Sequence, residues 1–212
     1  MTRRRPRTKR RADKAHLDPY LAYLVFVAVG AGTYRMGQDL RLTLLWVVLL
    51  GTILVLAEGR SVGIEYTWAK AGQGATVGLL LSLPLLILAW EPLQVTVARL
   101  YPLGSGIALF QGVVLVAVPV EEIFFRANLR QEHGFWVAAG LYGLAGTVFF
   151  LPIMAAFPIV LAVVTVGMAI LGVLYGYVAL RYGLAASIAC HAVVNLVLFV
   201  LPVILGSLGD KL

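Results

Sequence analysis

Residues 157–180 read FPIVLAVVTVGMAILGVLYGYVAL and contain no charged side chain. A transmembrane α-helix needs roughly 20 predominantly apolar residues, so this run is long enough to cross a bilayer. The rest of the chain has the same character, because 61% of its 212 residues are hydrophobic and only 13% are charged. Soluble domains contain about 45–50% apolar and about 25% charged residues. The composition therefore excludes a water-soluble globular protein.

Six more apolar runs occur along the chain. Together the seven runs cover about 19–34, 41–57, 74–90, 105–125, 135–151, 157–180 and 184–206. Each run is continuous rather than alternating, which disfavours a membrane β-barrel. The sequence thus predicts an all-α, polytopic integral membrane protein, a helical bundle with about seven transmembrane helices.

The formal net charge of +7 comes from the first fourteen residues, which hold eight basic side chains and one acid. The remainder has nine basic and nine acidic residues and is neutral. A basic block before an apolar span is typical of a cytoplasmic N-terminus and lies against anionic headgroups. With that orientation thirteen Lys and Arg residues are on the inner side, and those on the outer side are Arg35, Arg41, Arg99 and Lys211. We expect a multi-pass protein of the cell membrane whose partner is the lipid bilayer and not a nucleic acid.

Small residues recur four apart in the later spans, in the pairs Ala139 and Gly143, Gly172 and Gly176, and Ala185 and Ala189. This spacing lets helix backbones approach closely, so we expect these spans to form the centre of the bundle. Cys190, the single cysteine, excludes an intrachain disulfide and a Cys-rich zinc site. It is expected to be a small core residue.

A first polar cluster interrupts the apolar pattern at residues 118–126, which read VPVEEIFFR. Glu122 and Arg126 are four apart on a helix, the favourable spacing and direction for an ion pair. Glu121 lies about 100° around the helix from its neighbour, so the same cation cannot easily serve both. Glu121 is then a candidate general base. Pro119 predicts a bend or a freed carbonyl nearby. The alternative is that these charges merely end a span at the cytoplasmic interface.

A second cluster lies in SIACHAVVNLVLF, residues 187–199. His191 and Asn195 are four apart, share one helix face, and can both hydrogen-bond a polarised oxygen or water. Ser187, one turn earlier, extends the same polar stripe. A histidine in an apolar helix can also be a satisfied core residue, and that alternative stays open. A serine nucleophile is not favoured because no G-x-S-x-G turn is present. His133, in RQEHG, is expected to be an exposed loop residue.

The ordered pair of motifs, EEIFFR at 121–126 and HAVVN at 191–195, resembles the CPBP (Abi) family. Its members are intramembrane proteases of the CAAX-protease and bacteriocin-processing type. The resemblance covers about 105–206, and the first hundred residues show no matching motif. It divides the chain into a basic cytoplasmic tail at 1–18, N-terminal membrane helices at 19–104, a catalytic helical core at 105–206 and a C-terminal tail at 207–212.

The resemblance implies an intramembrane endopeptidase that opens to the cytoplasmic side and cleaves protein tails or leader peptides. The substrate is then a peptide or protein, which can itself be membrane-anchored. The first glutamate of the motif activates water, the second and the arginine hold the site together, and the late His and Asn stabilise the oxyanion. These residues are Glu121, Glu122, Arg126, His191 and Asn195.

One family motif is absent. An F-x-x-x-H motif is expected about thirty residues after the glutamate pair, where this chain reads GTVFFLPIMAAF. The position of its histidine is taken by Ile153 or Met154, and no histidine occurs from 134 to 190. Three interpretations follow: hydrolysis that depends on Glu121 alone, a replacement such as Asn128 or His133, or a catalytically inactive membrane scaffold or immunity-type protein.

Metal and cofactor chemistry is not predicted. A zinc site usually has three or four protein ligands, and the plausible ones here are Glu121, Glu122 and His191, so we expect no metal and no cofactor. A third class of function, a transporter with a proton relay, would show paired broken helices in two related halves. The sequence contains no such internal symmetry.

Overall fold

The computed structural model describes residues 17–57 and 66–209, and within these ranges the chain forms helices and no strand. The helices are α1 (Pro19–Gly32), α2 (Gln38–Ala57), α3 (Trp68–Leu88), α4 (Trp90–Leu100), α5 (Gly106–His133), α6 (Phe135–Met154), α7 (Pro158–Tyr182) and α8, made of Leu184–Asn195, Leu196–Val200 and Leu201–Gly209. The predicted all-α membrane bundle is confirmed. Residues 1–16, which hold the basic side chains of the predicted tail, residues 58–65 and the last three residues lie outside the described ranges.

Six of the described helices are long and apolar enough to cross a membrane, rather than about seven. They are α2, α3, α5, α6, α7 and the part of α8 up to Gly206. Helix α1 has 14 residues. At 1.5 Å per residue it is about 21 Å long, which is shorter than the roughly 30 Å of a hydrocarbon core. Helix α4 is shorter still, with 11 residues.

Polar contacts between distant parts of the chain mark two opposite ends of the bundle. At one end, Nε2 of His133 lies 2.7 Å from Oδ1 of Asp18, the residue that caps α1. At the other end, Gln38 donates a hydrogen bond of 3.0 Å to the carbonyl of Phe149. Helix α1 therefore runs between the two ends despite its length. His133 is a half-buried, paired residue at a helix end, so the prediction of an exposed loop residue is wrong.

Arg41 is a core residue and not an outer-loop charge as predicted. Its side chain is fully buried and donates to the carbonyls of Phe149 at 2.6 Å, Gly30 at 3.0 Å and Val148. The Val148 carbonyl has no helical donor, because the residue four positions on is Pro152, which lacks an N–H. Arg41 thus supplies the hydrogen bond that the proline removes.

Close backbone contacts hold the later helices together, as the spacing of small residues predicts. A Cβ added at Gly143 of α6 would lie 2.6 Å from Cβ of Ala169 in α7. One added at Gly172 would lie 3.0 Å from the carbonyl oxygen of Ala139. Helix α3 approaches α8 in the same way, through Gly78 against the backbone of Cys190. Cys190 is fully buried, so its prediction as a core residue is confirmed.

Candidate active site

The two glutamates lie in the middle of an irregular helix. Helix α5 is π-helical at Gln111–Ala117 and at Ile123–Leu129, on both sides of the pair. Pro119 contributes to this irregularity because it has no N–H to donate. Short π-helical segments are rare and frequently occur at functional sites. Here they frame Glu121 and Glu122, both of which are buried.

The carboxylate of Glu122 is fully buried and has three partners. Its Oε1 lies 3.5 Å from Nη1 of Arg126 and 2.9 Å from Nδ1 of His191. Its Oε2 accepts a hydrogen bond from the Ser187 hydroxyl at 2.5 Å. A cation and two donors compensate for the hydration that this carboxylate loses in the bundle.

Arg126 is held by charge and by aromatic rings. Its guanidinium carbon lies 4.2 Å from the ring centre of Tyr142 and 5.4 Å from that of Tyr175. Its two terminal nitrogens are buried and make no hydrogen bond with any residue that the structure describes. Attraction to Glu122 and cation–π contact therefore account for its position.

The carboxylate of Glu121 points to a different set of partners. Nε1 of Trp46 donates to its Oε1 at 3.4 Å, and the Tyr142 hydroxyl donates to its Oε2 at 3.1 Å. Both donors are neutral, and no ion pair to Glu121 is found in the described part of the chain. The two adjacent carboxylates therefore have opposite surroundings, one paired with a cation and one not.

His191 lies between the two carboxylates. Its Nδ1 faces Glu122, and its Nε2 lies 3.4 Å from the Tyr142 hydroxyl oxygen. The ring stacks on Tyr175, with 4.4 Å between ring centres and an angle of 18° between planes. A continuous line of polar contacts thus runs from Glu122 through His191 and Tyr142 to Glu121.

Glu121, His191 and Asn195 line one cavity of about 210 Å³. The amide of Asn195 donates to the carbonyl of Val113 in the first π-helical segment at 2.9 Å, which ties α8 to α5 beside the cavity. The rest of the wall is mainly apolar and aromatic and includes Phe150 from α6. A base and hydrogen-bond donors in such a pocket suit a reaction in which charge develops away from bulk water.

Tyr101, in the segment between α4 and α5, also lines this cavity. Burial raises the pKa of its hydroxyl, and the nearby charge of Glu121 raises that pKa further. The hydroxyl therefore stays protonated and remains a donor at neutral pH. The Tyr101 ring makes an edge-to-face contact with Phe150, with 5.5 Å between the ring centres.

The structure brings the five residues of the two sequence motifs together. Oε1 of Glu122 lies close to both Arg126 and His191. Glu121 and Asn195 line the same cavity as His191. Sequence reasoning missed Tyr142 and Trp46, the two donors to Glu121. A tyrosine in an apolar span was an available signal, because a buried hydroxyl needs a hydrogen-bond partner.

The proposed replacements for the missing histidine lie elsewhere. Ile153 and Met154 are not among the residues that line the cavity. Asn128 donates to the carbonyl of Ile123 in its own helix at 3.1 Å. His133 pairs with Asp18 at the far end of α5. The polar side chain that α6 directs at Glu121 is Tyr142.

A cluster with the geometry to hold a metal ion lies at that far end. Ligand atoms of Asp18, Glu132 and His133 are within 4.8 Å of one another. This cluster is partly exposed and is separate from the cavity that Glu121 lines. In the described ranges, side chains of the protein itself donate hydrogen bonds to both Glu121 and Glu122.

Comparison with known families places this site in context. The family model Rce1-like, described as type II CAAX prenyl endopeptidase Rce1-like, matches residues 103–197. The matched residues are therefore similar to the CPBP family of CAAX proteases. The matched residues contain both sequence motifs and Tyr142, whereas Trp46 lies outside them. No curated protein and no solved structure matches the chain. The match supports a CAAX-protease-like intramembrane protease fold.

Proposed function

We propose that the protein is an intramembrane endopeptidase that cleaves protein tails or leader peptides with a water molecule activated by Glu121. The unequal surroundings of the two adjacent glutamates carry this proposal. Glu122 is compensated by Arg126 and is occupied with structural contacts. Glu121 faces the cavity with neutral partners, so it is the carboxylate that can accept a proton from water there.

The other residues of the site fit the later steps of peptide hydrolysis. Attack by water on a peptide carbonyl forms a tetrahedral intermediate whose oxygen is negatively charged. His191 and Asn195 line the cavity on the same helix, one turn apart, and stabilise that charge. Glu122 fixes the orientation of the imidazole through its Nδ1 atom, in the manner of a carboxylate that orients a catalytic histidine.

The position of Glu121 supports cleavage inside the membrane rather than at its surface. Glu121 precedes His133, at one end of the bundle, by twelve residues of the same helix. At 1.5 Å per residue this is about 18 Å along the helix axis. With the N-terminus in the cytoplasm, as the basic tail favours, that end is cytoplasmic. A substrate tail then enters the bundle from the cytoplasmic side.

Hydrolysis by the purified protein tests the proposal. The full chain is reconstituted in liposomes and supplied with a library of fluorogenic peptides, each presented both free and tethered to a lipid anchor. Glu121→Gln should lower the rate about 10²–10⁴-fold, because it removes the general base and keeps the side-chain shape. Glu91→Gln, at an exposed position in α4, is the matched control and should cleave like the wild type.

An inactive CPBP-type scaffold or immunity-type protein is the second candidate, and the missing F-x-x-x-H histidine favours it. It predicts equal, background hydrolysis by the wild type and Glu121→Gln with every peptide. A wild-type rate above that of Glu121→Gln with any peptide rejects the scaffold. Equal rates throughout the library reject the endopeptidase.

A further inference from the structure

The hydroxyl of Tyr142 is a buried group that the roles given above leave unused. It lies 3.1 Å from Oε2 of Glu121 and 3.4 Å from Nε2 of His191. Tyr142 is 2% exposed and lines the same cavity as both. The hydroxyl has one proton and two acceptor lone pairs, so it can donate to one neighbour while it accepts from the other.

The contact with Glu122 determines which nitrogen of His191 carries the proton. Glu122 is an acceptor paired with Arg126, so Nδ1 of His191 donates to it. In the neutral imidazole Nε2 then has no hydrogen and is an acceptor. A neutral His191 in this tautomer cannot donate to an oxyanion through Nε2. Its proposed role therefore requires that a second proton reach Nε2 during the reaction.

We propose that Tyr142 relays a proton from Glu121 to His191 as the tetrahedral intermediate forms. This inference rests on the proposed function. Once water has protonated Glu121, the Tyr142 hydroxyl no longer donates to that carboxylate and turns towards His191. It passes its proton to Nε2 and takes up the proton that Glu121 removed from water. The two transfers occur together, because a separate tyrosinate or a doubly protonated phenol would be an unpaired charge in a mainly apolar cavity. His191 becomes a donor when the oxyanion appears.

The proton and electron pairs balance over the whole reaction. Water oxygen forms a bond to the carbonyl carbon, the carbonyl π pair moves to oxygen, and the water proton goes to Glu121. The relay leaves Glu121 ionised and His191 as imidazolium. His191 then gives its Nε2 proton to the amide nitrogen, the carbon–nitrogen bond breaks towards nitrogen, and the oxyanion pair re-forms the carbonyl. Acid and amine products leave, with both residues back in their starting states.

The relay accounts for the absence of the F-x-x-x-H histidine. Histidine in that motif would come from the C-terminal part of α6, but Ile153 and Met154 do not line the cavity. Tyr142 lies on the same helix, one residue before Gly143, whose packing against Ala169 brings α6 and α7 together. Its hydroxyl occupies the place beside Glu121 where a proton-accepting partner is needed.

Removal of the hydroxyl is the direct test, with hydrolysis measured on the fluorogenic peptide that the wild type cleaves fastest. Tyr142→Phe keeps the ring that packs on Arg126 and should lower kcat about 10²–10⁴-fold, since it removes general acid–base assistance. Tyr23→Phe is the matched control. Tyr23 is also buried, and its hydroxyl donates to the carbonyl of Leu141 at 3.0 Å, next to the relay residue. This control should retain the wild-type rate.

A proton inventory in mixtures of H₂O and D₂O separates a relay from a structural hydroxyl. The wild-type rate should depend on the deuterium fraction along a curve, because more than one proton moves in the step, and the residual rate of Tyr142→Phe should depend on it linearly. The wild-type curve alone decides if Tyr142→Phe does not fold. A linear wild-type dependence overturns the relay.

The outcomes distinguish failure of the relay from failure of the proposed function. An inactive Glu121→Gln together with a Tyr142→Phe as fast as the wild type overturns the relay and leaves the endopeptidase standing. A wild type that cleaves no peptide overturns both. In ¹⁵N-histidine-labelled protein, the Nε2 resonance of His191 should shift in Tyr142→Phe and stay in place in Tyr23→Phe. An unmoved resonance in both variants removes the hydrogen bond on which the relay depends.

Discussion

Two arginines are buried in this bundle, and they are held in different ways. Arg41 is fully buried and donates to the backbone carbonyls of Gly30, Val148 and Phe149. Arg126 is 2% exposed, pairs with the Glu122 carboxylate and contacts aromatic rings, and its two terminal nitrogens make no hydrogen bond to the described residues. Arg41 donates hydrogen bonds to backbone carbonyls, and Arg126 compensates for the charge of a buried carboxylate.

The partners of each buried arginine indicate its role. The carbonyls around Arg41 include one that Pro152 leaves without a donor, so this arginine supplies a missing hydrogen bond of a helix and makes no ion pair with a residue that the structure describes. Arg126 instead compensates for the charge of Glu122, the carboxylate that contacts Nδ1 of His191. An ionisable residue in a membrane span is a functional-site hypothesis by default. The comparison shows that its partners decide whether the hypothesis holds.

The largest effect is expected at the carboxylate pair. Arg126→Met should lower the free energy of unfolding by about 3–5 kcal/mol, because it leaves Glu122 as an uncompensated buried charge. The double variant Glu122→Gln, Arg126→Met should be more stable than Arg126→Met alone, since it removes the orphaned charge as well. Unfolding of purified protein in mixed detergent micelles measures both. A double variant no more stable than Arg126→Met would contradict the pairing.

A smaller effect is expected at the backbone site. Arg41→Met should cost about 1–3 kcal/mol for the buried carbonyl of Val148, which loses the side-chain donor that Arg41 supplies. Pro152→Ala restores an N–H four residues beyond that carbonyl. It should therefore recover part of the loss when combined with Arg41→Met. The same unfolding measurement serves, and Pro152→Ala that gives no recovery in the double variant would contradict the repair.

Lysine substitution sharpens the contrast between the two sites. Arg126→Lys keeps the charge and loses the planar group that stacks on Tyr142, at about 0.5–2 kcal/mol. Arg41→Lys retains three donors for three carbonyls and should cost less. The two unfolding free energies are compared directly. Equal losses in the two variants would contradict a special role for the planar guanidinium of Arg126 in its contact with the aromatic rings.

Cysteine labelling at the two ends of the bundle tests the orientation and should change the stability of the protein least. In a Cys190→Ala background, cysteine is introduced at Gln131, beside the α5 end, or at Met36, between α1 and α2; both positions are exposed. A cytoplasmic N-terminus predicts that Met36→Cys reacts with an impermeant maleimide on intact cells, and that Gln131→Cys reacts after permeabilisation. The reverse pattern would overturn the orientation and with it the side from which a substrate enters.

The sequence predicts what depends on local spacing. The pair of Glu122 and Arg126 follows from a separation of one helical turn, and the shared face of His191 and Asn195 follows from the same rule. Apolar run length predicts the helical bundle, although α1, which Gly32 and Thr33 end early, has 14 residues and is shorter than the six helices long enough to cross a membrane by themselves.

Contacts between helices distant in sequence could not be predicted in this way. Trp46 reaches Glu121 across 75 positions, and Tyr142 meets His191 across 49. Their side chains look like ordinary aromatic residues of apolar spans until the packing of α2, α6 and α8 is known. Arg41 was placed in a loop by charge, since nothing in its neighbourhood shows that a proline 111 residues later frees a carbonyl.

The carbonyl partners of Arg41 also bear on how the protein enters the membrane. A chain made from its N-terminus delivers α2 to the bilayer well before α6 exists. An arginine at the centre of an inserting helix costs about 2.5–3.5 kcal/mol, and Arg41, in the first turn of α2, costs less than that. The hairpin of α1 and α2 offers Arg41 one acceptor, Gly30, at that stage. The two acceptors from α6, Val148 and Phe149, arrive later. Helix α1 thus supplies a hydrogen-bond acceptor for Arg41 of α2 until α6 has been inserted and packs against both helices.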